Sequence, residues 1–260
     1  MERGIMKDTA RYPSLRDKVV FITGGASGIG RSIVEHFHNQ GSRVAFINIA
    51  DKAGRELADE LGAKDGHRPH FEVCDLRDVE QLGAVIDRIG KEIGPITALV
   101  NNAGNDDRHT LDQVTSEYFD DRVAVNLKHQ LFAAKAVRKQ MREAGGGSII
   151  NFSSITWMVA DGDCVVYVTS KSAVGGLTRA LATELGGENI RVNAIAPGWV
   201  MTERQVSLWL DEKGEQQIAD RQALKARLHS PDIARMALFL AADDSRMCSK
   251  QTFIVDAGWI

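Results

Sequence analysis

Cysteine and long apolar runs are both scarce in this sequence, and each scarcity excludes a class of protein. The 3 cysteines, Cys74, Cys164 and Cys248, lie far apart and are odd in number, so they offer neither metal-ligand spacing nor a closed set of disulfides. We therefore expect no bound metal and a reducing, cytoplasmic compartment. No apolar run reaches the roughly 18 residues that span a bilayer, so we expect no membrane partner.

An excess of charge of one sign is also lacking. The 260 residues carry a formal net charge of −3, which leaves no basic surface of the kind that binds nucleic acid. Residues 1–14 are polar and have no apolar centre, so they predict a short N-terminal arm and not a secretory signal. Residues 15–260 are long enough for one domain with a substantial core.

Apolar runs rich in Val and Ile alternate with helix-period segments along the rest of the chain. Short runs bounded by turns are typical of parallel strands that are covered on both faces. The pattern therefore predicts an α/β protein with a doubly wound parallel sheet of about seven strands and helices on both faces. The predicted strands are 19–23, 43–49, 70–73, 97–101, 148–153, 191–196 and 252–255. The predicted helices are 29–40, 53–61, 79–93, 118–142, 166–185 and 231–241.

Residues 199–228 interrupt this alternation. They are charged and helix-prone, carry Trp209, and precede the last strand-and-helix unit. An insertion near the carboxyl ends of the strands is expected to cover the ligand crevice, so we interpret this segment as a lid over the substrate. The alternative is an ordinary helical hairpin on the surface.

A glycine-rich segment follows the first predicted strand and opens the first predicted helix. Glycines let the backbone approach a pyrophosphate closely, and the helix N-terminus then offers N–H groups and the positive end of its dipole to the phosphates. The position between a strand and a helix favours a dinucleotide site over a plain turn. The residues expected to contact the cofactor here are Gly24, Ser27, Gly28, Ile29 and Gly30.

Asn48 stands near the end of the second predicted strand, where the adenosine ribose is expected. An acid at this position would bind the 2′-hydroxyl of NAD and repel the 2′-phosphate of NADP. Asn48 can hydrogen-bond a hydroxyl but lacks the charge that rejects a phosphate, and Lys52 is the nearest cation. We expect NAD as the cofactor, with NADP also possible.

Tyr167 and Lys171 are four residues apart near the start of a predicted helix, so their side chains share one helical face. An ammonium group beside a phenol stabilises the phenolate, and we expect Lys171 to lower the pKa of Tyr167 toward that of a useful general base. Ser154 follows the end of a strand just upstream, where a hydroxyl projects into the crevice. The small residues 102–104 end another strand in the same way and would admit the cofactor.

Together these motifs resemble the short-chain dehydrogenase/reductase family over about residues 15–260. A glycine turn, an Asn-Asn-Ala-Gly segment, a serine, a Tyr-x-x-x-Lys pair and a Pro-Gly pair occur in the family's order. The resemblance implies a Rossmann-type fold, NAD(P)-dependent oxidoreductase activity and, as is usual in the family, a homotetramer. It implies further cofactor contacts at Asp75, Leu76, Asn102, Ala103, Gly104, Tyr167, Lys171, Pro197, Gly198, Val200 and Thr202.

The same resemblance implies a catalytic tetrad of Asn126, Ser154, Tyr167 and Lys171. Ser154 would hold the substrate oxygen and Tyr167 would exchange the proton. Lys171 would tune Tyr167 and bind the nicotinamide ribose, while Asn126 would hold a water that relays protons behind the lysine.

The polar run 105–109 adds a narrower likeness, to the bacterial aldose 1-dehydrogenases of the family, which oxidise sugars such as xylose, arabinose, galactose or fucose at the anomeric carbon. Carboxylates, amides and arginine can pair with hydroxyls all round a pyranose, and an indole can cover its C–H face. The substrate-binding residues that this implies are Asn105, Asp106, Asp107, Arg108, His109, Ser154, Trp157, Tyr167, Trp199, Arg204 and Gln205.

The predicted reaction moves the C1 hydroxyl proton to Tyr167 and the C1 hydride to the nicotinamide, which yields a lactone. Two alternatives stay open at this point. One is a related enzyme that acts on another polyol, ketone, keto-acid or 3-oxoacyl substrate. The other is a non-catalytic NAD-binding regulator, against which the complete tetrad argues.

Overall fold

A parallel sheet of seven strands forms the centre of the computed structural model, which describes residues 10–160 and 162–260. The order across the sheet is β3-β2-β1-β4-β5-β6-β7, and all neighbouring strands are parallel. The α/β class predicted from the alternating runs is confirmed. The strands are β1 Val19–Thr23, β2 Arg43–Asn48, β3 His70–Val73, β4 Ile96–Asn101, β5 Gly147–Phe152, β6 Ile190–Pro197 and β7 Thr252–Val255.

Helices cover both faces of this sheet because alternate side chains of each strand point to opposite sides. On β1, Val20 and Ile22 pack with α1 and α9, whereas Val19 and Phe21 pack with α3 and α5. The helices are α1 Gly28–Asn39, α2 Asp51–Asp65, α3 Val79–Glu92, α4 Ser116–Val123, α5 His129–Glu143, α6 Val165–Leu185, α7 Glu203–Leu208, α8 Glu212–Arg221 and α9 Ser230–Ala241.

Two predicted elements differ from the structure at points that matter for the site. The single helix expected over 118–142 is a continuous helical stretch that a π-helical segment, Ala124–Lys128, separates into α4 and α5. The strand expected over 148–153 ends at Phe152, so Ser153 and Ser154 both follow it. The predicted arm lies partly outside the described residues, and the remainder runs directly into a short helix, Pro13–Leu15.

The first three strands follow one another from β1 toward one edge of the sheet, and β4 to β7 follow one another toward the other edge. The order of the strands therefore reverses between β1 and β4. In open sheets of this kind the crevice at the carboxyl ends beside such a reversal is where ligands bind. Within 10–160 and 162–260, no helix is both long and apolar enough to cross a membrane.

Candidate active site

The carboxyl ends of the strands open into a cleft of about 1660 Å³. The glycine turn after β1, the ends of β2, β4 and β5, the start of α6 and the segment 199–228 all line it. Of the side chains that the sequence predicts for the site, all line this cleft except Asp107, Asn126 and Trp157. We call residues 105–109 the polar loop and residues 199–228 the lid segment.

The glycine turn forms a backbone cradle at one end of the cleft. Gly24 has φ +70°, in the left-handed region, and a Cβ on Gly30 would lie 2.0 Å from the carbonyl oxygen of Gly24. Asn102 Nδ2 supports the turn by donating to the carbonyl oxygens of Thr23, at 3.0 Å, and of Gly24, at 3.2 Å. Only glycine fits this packing, and it leaves backbone exposed where a pyrophosphate would approach.

The first turn of α1 opens toward the same cradle. Its N-cap residue, Ser27, makes no side-chain capping bond, so the N–H groups of that turn remain available to an anion. The Thr23 hydroxyl accepts from the Ala103 N–H at 3.1 Å and joins β1 to β4 at the base of the cradle. These residues fit a dinucleotide.

Asn48, predicted to meet the ribose, lines the cleft with its side-chain oxygen already engaged. Asn48 Oδ1 accepts from the Ala50 N–H at 2.9 Å, which leaves the NH₂ group to meet a ligand. The chain turns back on Asn48 to enter α2, and the contact of Asn48 with the cofactor ribose stays a prediction.

Asp75, expected to contact the cofactor, forms an ion pair with Arg77. The guanidinium reaches both carboxylate oxygens, with Nη2 to Oδ2 at 2.6 Å and Nε to Oδ1 at 3.0 Å. These hydrogen bonds hold the pKa of Asp75 below its usual range. Sequence reasoning missed Arg77, although it stands two residues after the predicted acid.

Ser154, Tyr167 and Lys171 meet at the centre of the cleft. The Tyr167 hydroxyl is hydrogen-bonded to Ser154. Lys171 is 2% exposed, its Nζ lies 5.6 Å from the centroid of the Tyr167 ring, and it donates to the carbonyl oxygen of Phe152 at 2.9 Å. The Ser153 hydroxyl donates to the carbonyl oxygen of Lys171 at 2.7 Å and joins α6 to the end of β5.

The protonation of this pair differs from the sequence-based expectation. Burial raises the pKa of Tyr167, the negative charge of Asp106 raises it further, and the hydrogen bond from Ser154 opposes both. Burial also lowers the pKa of Lys171 to about 8. In the free protein the pKa of Tyr167 is thus raised and not lowered, because desolvation outweighs the influences that favour the phenolate. The expected effect of Lys171 on the phenol stays a prediction for the site with its ligands bound.

Asn126 lies in the π-helical segment behind the cleft and is fully buried. Its Oδ1 accepts from the Asn105 N–H at 2.8 Å, and its Nδ2 donates to the carbonyl oxygens of Asn105 and Arg122, each at 3.0 Å. A Cβ on Gly104 would lie 3.1 Å from both Asn126 Oδ1 and Lys171 Nζ. Asn126 therefore fixes the start of the polar loop, and its predicted part in a water relay stays a prediction.

The polar loop is joined to the lid segment by charged hydrogen bonds. Gln205 Nε2 donates to Asp106 Oδ2 at 2.5 Å, and Arg204 Nε lies 3.4 Å from Asp106 Oδ1. Asp107 receives Arg204 Nη2 at 2.5 Å and Arg122 Nη1 at 3.0 Å. The segment 199–228 therefore contacts the polar loop, and its role as a lid over the substrate stays a prediction.

Aromatic side chains complete the lid side of the cleft. The guanidinium of Arg108 lies 5.5 Å from the centroid of the Trp209 ring, and the rings of Trp199 and Trp259 lie 6.4 Å apart. Trp199, Trp209 and Trp259 all line the cleft. This combination of indoles and charged groups matches the surface of a sugar, which has apolar C–H faces and polar edges.

Three residues predicted to bind substrate have other contacts in the structure. Trp157 lies outside the cleft and its indole N–H donates to the Ser153 hydroxyl at 3.2 Å. The carboxylate of Asp107 is held between two arginines. Both ring nitrogens of His109 have protein partners. These contacts engage the polar groups of all three residues, and their part in substrate binding stays a prediction.

Arg122 is a site residue that sequence reasoning missed. It holds Asp107 from below the polar loop, and it stands one helical turn before Asn126. That spacing could have placed it on the side of α4 that faces the loop. No group of three or more His, Cys, Asp or Glu side chains that could hold a metal occurs in 10–160 and 162–260.

Comparison with known proteins decides the family. A family model described as "Enoyl-(Acyl carrier protein) reductase" matches residues 24–260. The chain belongs to the short-chain dehydrogenase/reductase family. The family resemblance inferred from the motifs is confirmed.

Curated members of the short-chain dehydrogenase/reductase family align over almost the whole chain. The chain is 47% identical over 251 residues to a D-xylose 1-dehydrogenase of Caulobacter vibrioides, covering 96% of this chain and 99% of that protein. It is 44% identical over 250 residues to "Probable galactose dehydrogenase GalD" of Rhizobium meliloti, covering 96% and 98%. A D-threitol dehydrogenase of Mycolicibacterium smegmatis is 35% identical over 251 residues, covering 94% of each chain.

A solved structure extends the comparison to the fold. A blue fluorescent protein from a metagenomic library, in complex with NADPH, superposes with a TM-score of 0.87 at 32% identity, covering 95% of this chain and 99% of that chain. As a short-chain dehydrogenase/reductase, the chain is an oxidoreductase.

Proposed function

We propose that this protein oxidises an aldose at its C1 hydroxyl to the lactone, with NAD(P) as the hydride acceptor. The observation that carries the proposal is the position of Asp106. Its carboxylate acts electrostatically on both Tyr167 and Lys171, and it is held there by Gln205. A hydrogen-bond acceptor for sugar hydroxyls is thus fixed beside the reacting centre. An apolar substrate there would bury this carboxylate without offering it a donor, which is unfavourable. The two relatives at 44% and 47% identity, both named for sugars, support the same conclusion.

The cradle residues would hold the cofactor. The backbone around Gly24 and Gly30 and the free first turn of α1 suit the pyrophosphate, and the NH₂ of Asn48 suits an oxygen on the ribose. When bound, the oxidised nicotinamide accepts the hydride and brings a positive charge into the cleft, which favours the ionised form of nearby acids.

The chain's own residues would manage the proton. Ser154 and Tyr167 are already hydrogen-bonded, so a substrate hydroxyl placed between them meets one group that orients it and one that takes its proton. Lys171 supplies a cation under the Tyr167 ring that stabilises the phenolate as it forms. In the free protein the raised pKa of Tyr167 keeps the phenol protonated, so the base forms only once the site is filled.

Sugar recognition would fall to the polar loop and the lid segment together. Asp106 can accept from a hydroxyl, and the indoles of Trp199 and Trp209, which both line the cleft, can cover a C–H face. Asn105, Arg204 and Gln205 also line the cleft and can contribute further hydrogen bonds. Each is fixed by a neighbour, so the hydroxyl pattern of the sugar must match a largely preformed site.

The experiment is a panel of aldoses and open-chain polyols, each assayed with NAD and with NADP by the absorbance of the reduced nicotinamide. Turnover with one or more aldoses and a lactone product, identified by hydroxamate formation, supports the proposal. Turnover with polyols such as threitol, and none with aldoses, overturns the aldose assignment within the same family. Tight cofactor binding with no turnover on any substrate would indicate a regulator.

Assembly and location remain separate predictions. Family resemblance predicts a homotetramer in the cytoplasm, built from one domain per chain. Size-exclusion chromatography with light scattering on the full chain would measure the assembly.

A further inference from the structure

His109 is a buried histidine, 8% exposed, that joins the polar loop to the first turn of α6. Its backbone N–H donates to the carbonyl oxygen of Asp163 at 2.8 Å, and its ring Nε2 accepts from the N–H of Val166 at 3.3 Å. On its other side, Nδ1 lies 3.0 Å from the carbonyl oxygen of Asp107 and 3.0 Å from the hydroxyl of Tyr118. One residue therefore contacts three different segments.

These partners determine the protonation of the ring. A backbone N–H can only donate, so Nε2 must carry a lone pair. A carbonyl can only accept, so Nδ1 must carry the hydrogen. These partners fit the tautomer with hydrogen on Nδ1, and the Tyr118 ring packs edge-on against the imidazole with the ring centroids 5.0 Å apart.

The N–H of Val166 is one of the backbone donors that the start of every helix leaves without an intrahelical partner. Cys164, the N-cap residue of α6, makes no side-chain capping bond. His109 Nε2 fills the role that a serine or aspartate usually fills, but it does so from a distant part of the chain. The next residue after Val166 is Tyr167, and Lys171 follows one turn later.

We propose that His109 is a positioning residue for the reaction: it caps α6 and thereby sets the height of Tyr167 against Ser154 and the substrate. The inference rests on the proposed function for its kinetic consequence only. Because His109 also holds the carbonyl of Asp107, the polar loop that would grip the sugar and the helix that carries the phenol move as one unit. A displacement of the phenol by a fraction of an ångström is enough to slow proton transfer.

Two substitutions distinguish the hydrogen bond made by Nε2 of His109 from the one made by Nδ1. His109→Gln can place an amide oxygen near the position of Nε2 and keep the cap on Val166. His109→Asn can place an amide NH₂ near Nδ1 and keep the bond to Asp107, but it is too short to reach Val166. His67→Asn, at an exposed histidine far from the cleft, is the matched control.

Two measurements apply to each variant. Backbone hydrogen exchange of the peptide spanning 163–170 measures whether the start of α6 is still capped, and it needs no substrate. Steady-state kinetics with a substrate that the wild type turns over measures whether the Tyr167 phenol is still in position. We expect His109→Asn to exchange faster in that peptide and to lose about tenfold or more in kcat, with KM for the cofactor changed less than about twofold. We expect His109→Gln and His67→Asn to keep the protection and to stay within about threefold of wild-type kcat.

Equal losses of kcat in His109→Asn and His109→Gln would overturn the proposal. So would a rate of hydrogen exchange in the peptide 163–170 that is the same as in the wild type for both variants. A rise in KM for the sugar with kcat intact in His109→Asn would also overturn it, because His109 would then be a substrate ligand. If His109→Asn does not fold, His109→Gln alone tests the proposal. Faster hydrogen exchange in the peptide 163–170, or a loss of kcat, in His109→Gln would then contradict the capping role of His109. A wild type inactive on every aldose overturns the proposed function, and the exchange data still decide the role of His109.

Discussion

Charges of both signs surround Tyr167, and burial decides which protonation states result. Asp106 raises the pKa of Tyr167 and opposes the fall in the pKa of Lys171, while desolvation is the largest influence on both. In the free protein near neutral pH the phenol is therefore neutral and the lysine largely charged. Tyr167 can therefore accept a proton only after a bound ligand has changed this balance of charges.

At this residue we expect Tyr167→Phe to reduce kcat on the order of 10² to 10⁴-fold, because a positioned acid or base contributes about that much. Cofactor affinity should stay close to that of the wild type, since the cradle lies elsewhere. Steady-state kinetics and a fluorescence titration with the cofactor measure the two effects. A loss of kcat smaller than about threefold would remove Tyr167 from the proton transfer.

Asn48 offers a second residue-scale prediction. In Asn48→Asp one carboxylate oxygen can keep the bond to the Ala50 N–H, and the other then faces the ribose with a negative charge. A carboxylate accepts a hydrogen bond from a 2′-hydroxyl and repels a 2′-phosphate, and these two effects together favour NAD over NADP by roughly 1 to 3 kcal/mol. The ratio of kcat/KM for NAD over NADP should rise about five- to 150-fold at constant ionic strength. An unchanged ratio would show that Asn48 does not face the ribose.

The motif residues could be predicted from the sequence because their spacing and their order along the chain resemble those of a known family. Spacing alone puts Tyr167 and Lys171 on one helical face, and the family resemblance then singles them out together with Ser154. The contacts of Asp106 and Asp107 with Arg204 and Gln205 could not be predicted. They depend on how segments far apart in the chain come together, which no local period encodes.

At the scale of elements, the lid segment and the polar loop form one hydrogen-bonded unit beside the cleft. Asp106 lies between the reacting centre and α7, and its carboxylate is oriented by Gln205 and Arg204. The sequence indicated the lid by its break in the alternation, and it indicated the polar loop by composition. It gave no sign that the two are hydrogen-bonded to each other.

We therefore expect Gln205→Ala to raise KM for the sugar about tenfold, the size of one charge-assisted hydrogen bond of roughly 1.5 kcal/mol. KM for the cofactor should change less than about twofold, because Asp106 would orient the sugar and not the nucleotide. Both constants come from the same steady-state assay. Val206→Ala, at a 48% exposed position of the same helix, is the control and should leave both constants as they are.

Equal increases in the two KM values would contradict this view of the lid segment. They would mean that α7 closes over the cofactor, and that Asp106 belongs to the cofactor site. Faster proteolysis of the lid segment in Gln205→Ala, without a change in either KM, would show that the contact holds the lid but not the sugar.

At the scale of the whole molecule, the sheet and its two helical layers could be predicted from alternation alone. Doubly buried parallel strands require continuous apolar runs, and the connections between them require helices of matching length. The π-helical segment at Ala124–Lys128 could not be predicted, because its residues are as helix-prone as their neighbours. This segment places Asn126 against the backbone of Asn105, at the start of the polar loop.

The fold also bears a cost for its site, and Lys171 makes that cost measurable. Burial lowers the pKa of Lys171 from 10.5 to about 8, which corresponds to about 3 kcal/mol of destabilisation while the lysine is charged in both states. The penalty is complete below the folded-state pKa and is relieved as the pH rises toward that of the unfolded chain, because the folded state then binds fewer protons.

Lys171→Met should accordingly unfold at a higher denaturant concentration than the wild type near pH 7, by up to about 3 kcal/mol in the free energy of unfolding, while losing activity. The carbonyl of Phe152 keeps a donor in Gln130 Nε2, at 3.3 Å, so the variant leaves no orphaned acceptor there. At about pH 9.5 the advantage of the variant should fall to roughly half, since the wild-type lysine is then neutral in the folded protein. Urea titrations of both proteins at the two pH values measure the difference, and every other titrating group is common to both. A variant less stable than the wild type at neutral pH would show that Lys171 stabilises the fold through its hydrogen bond, and that the site is built at no expense to the rest of the molecule.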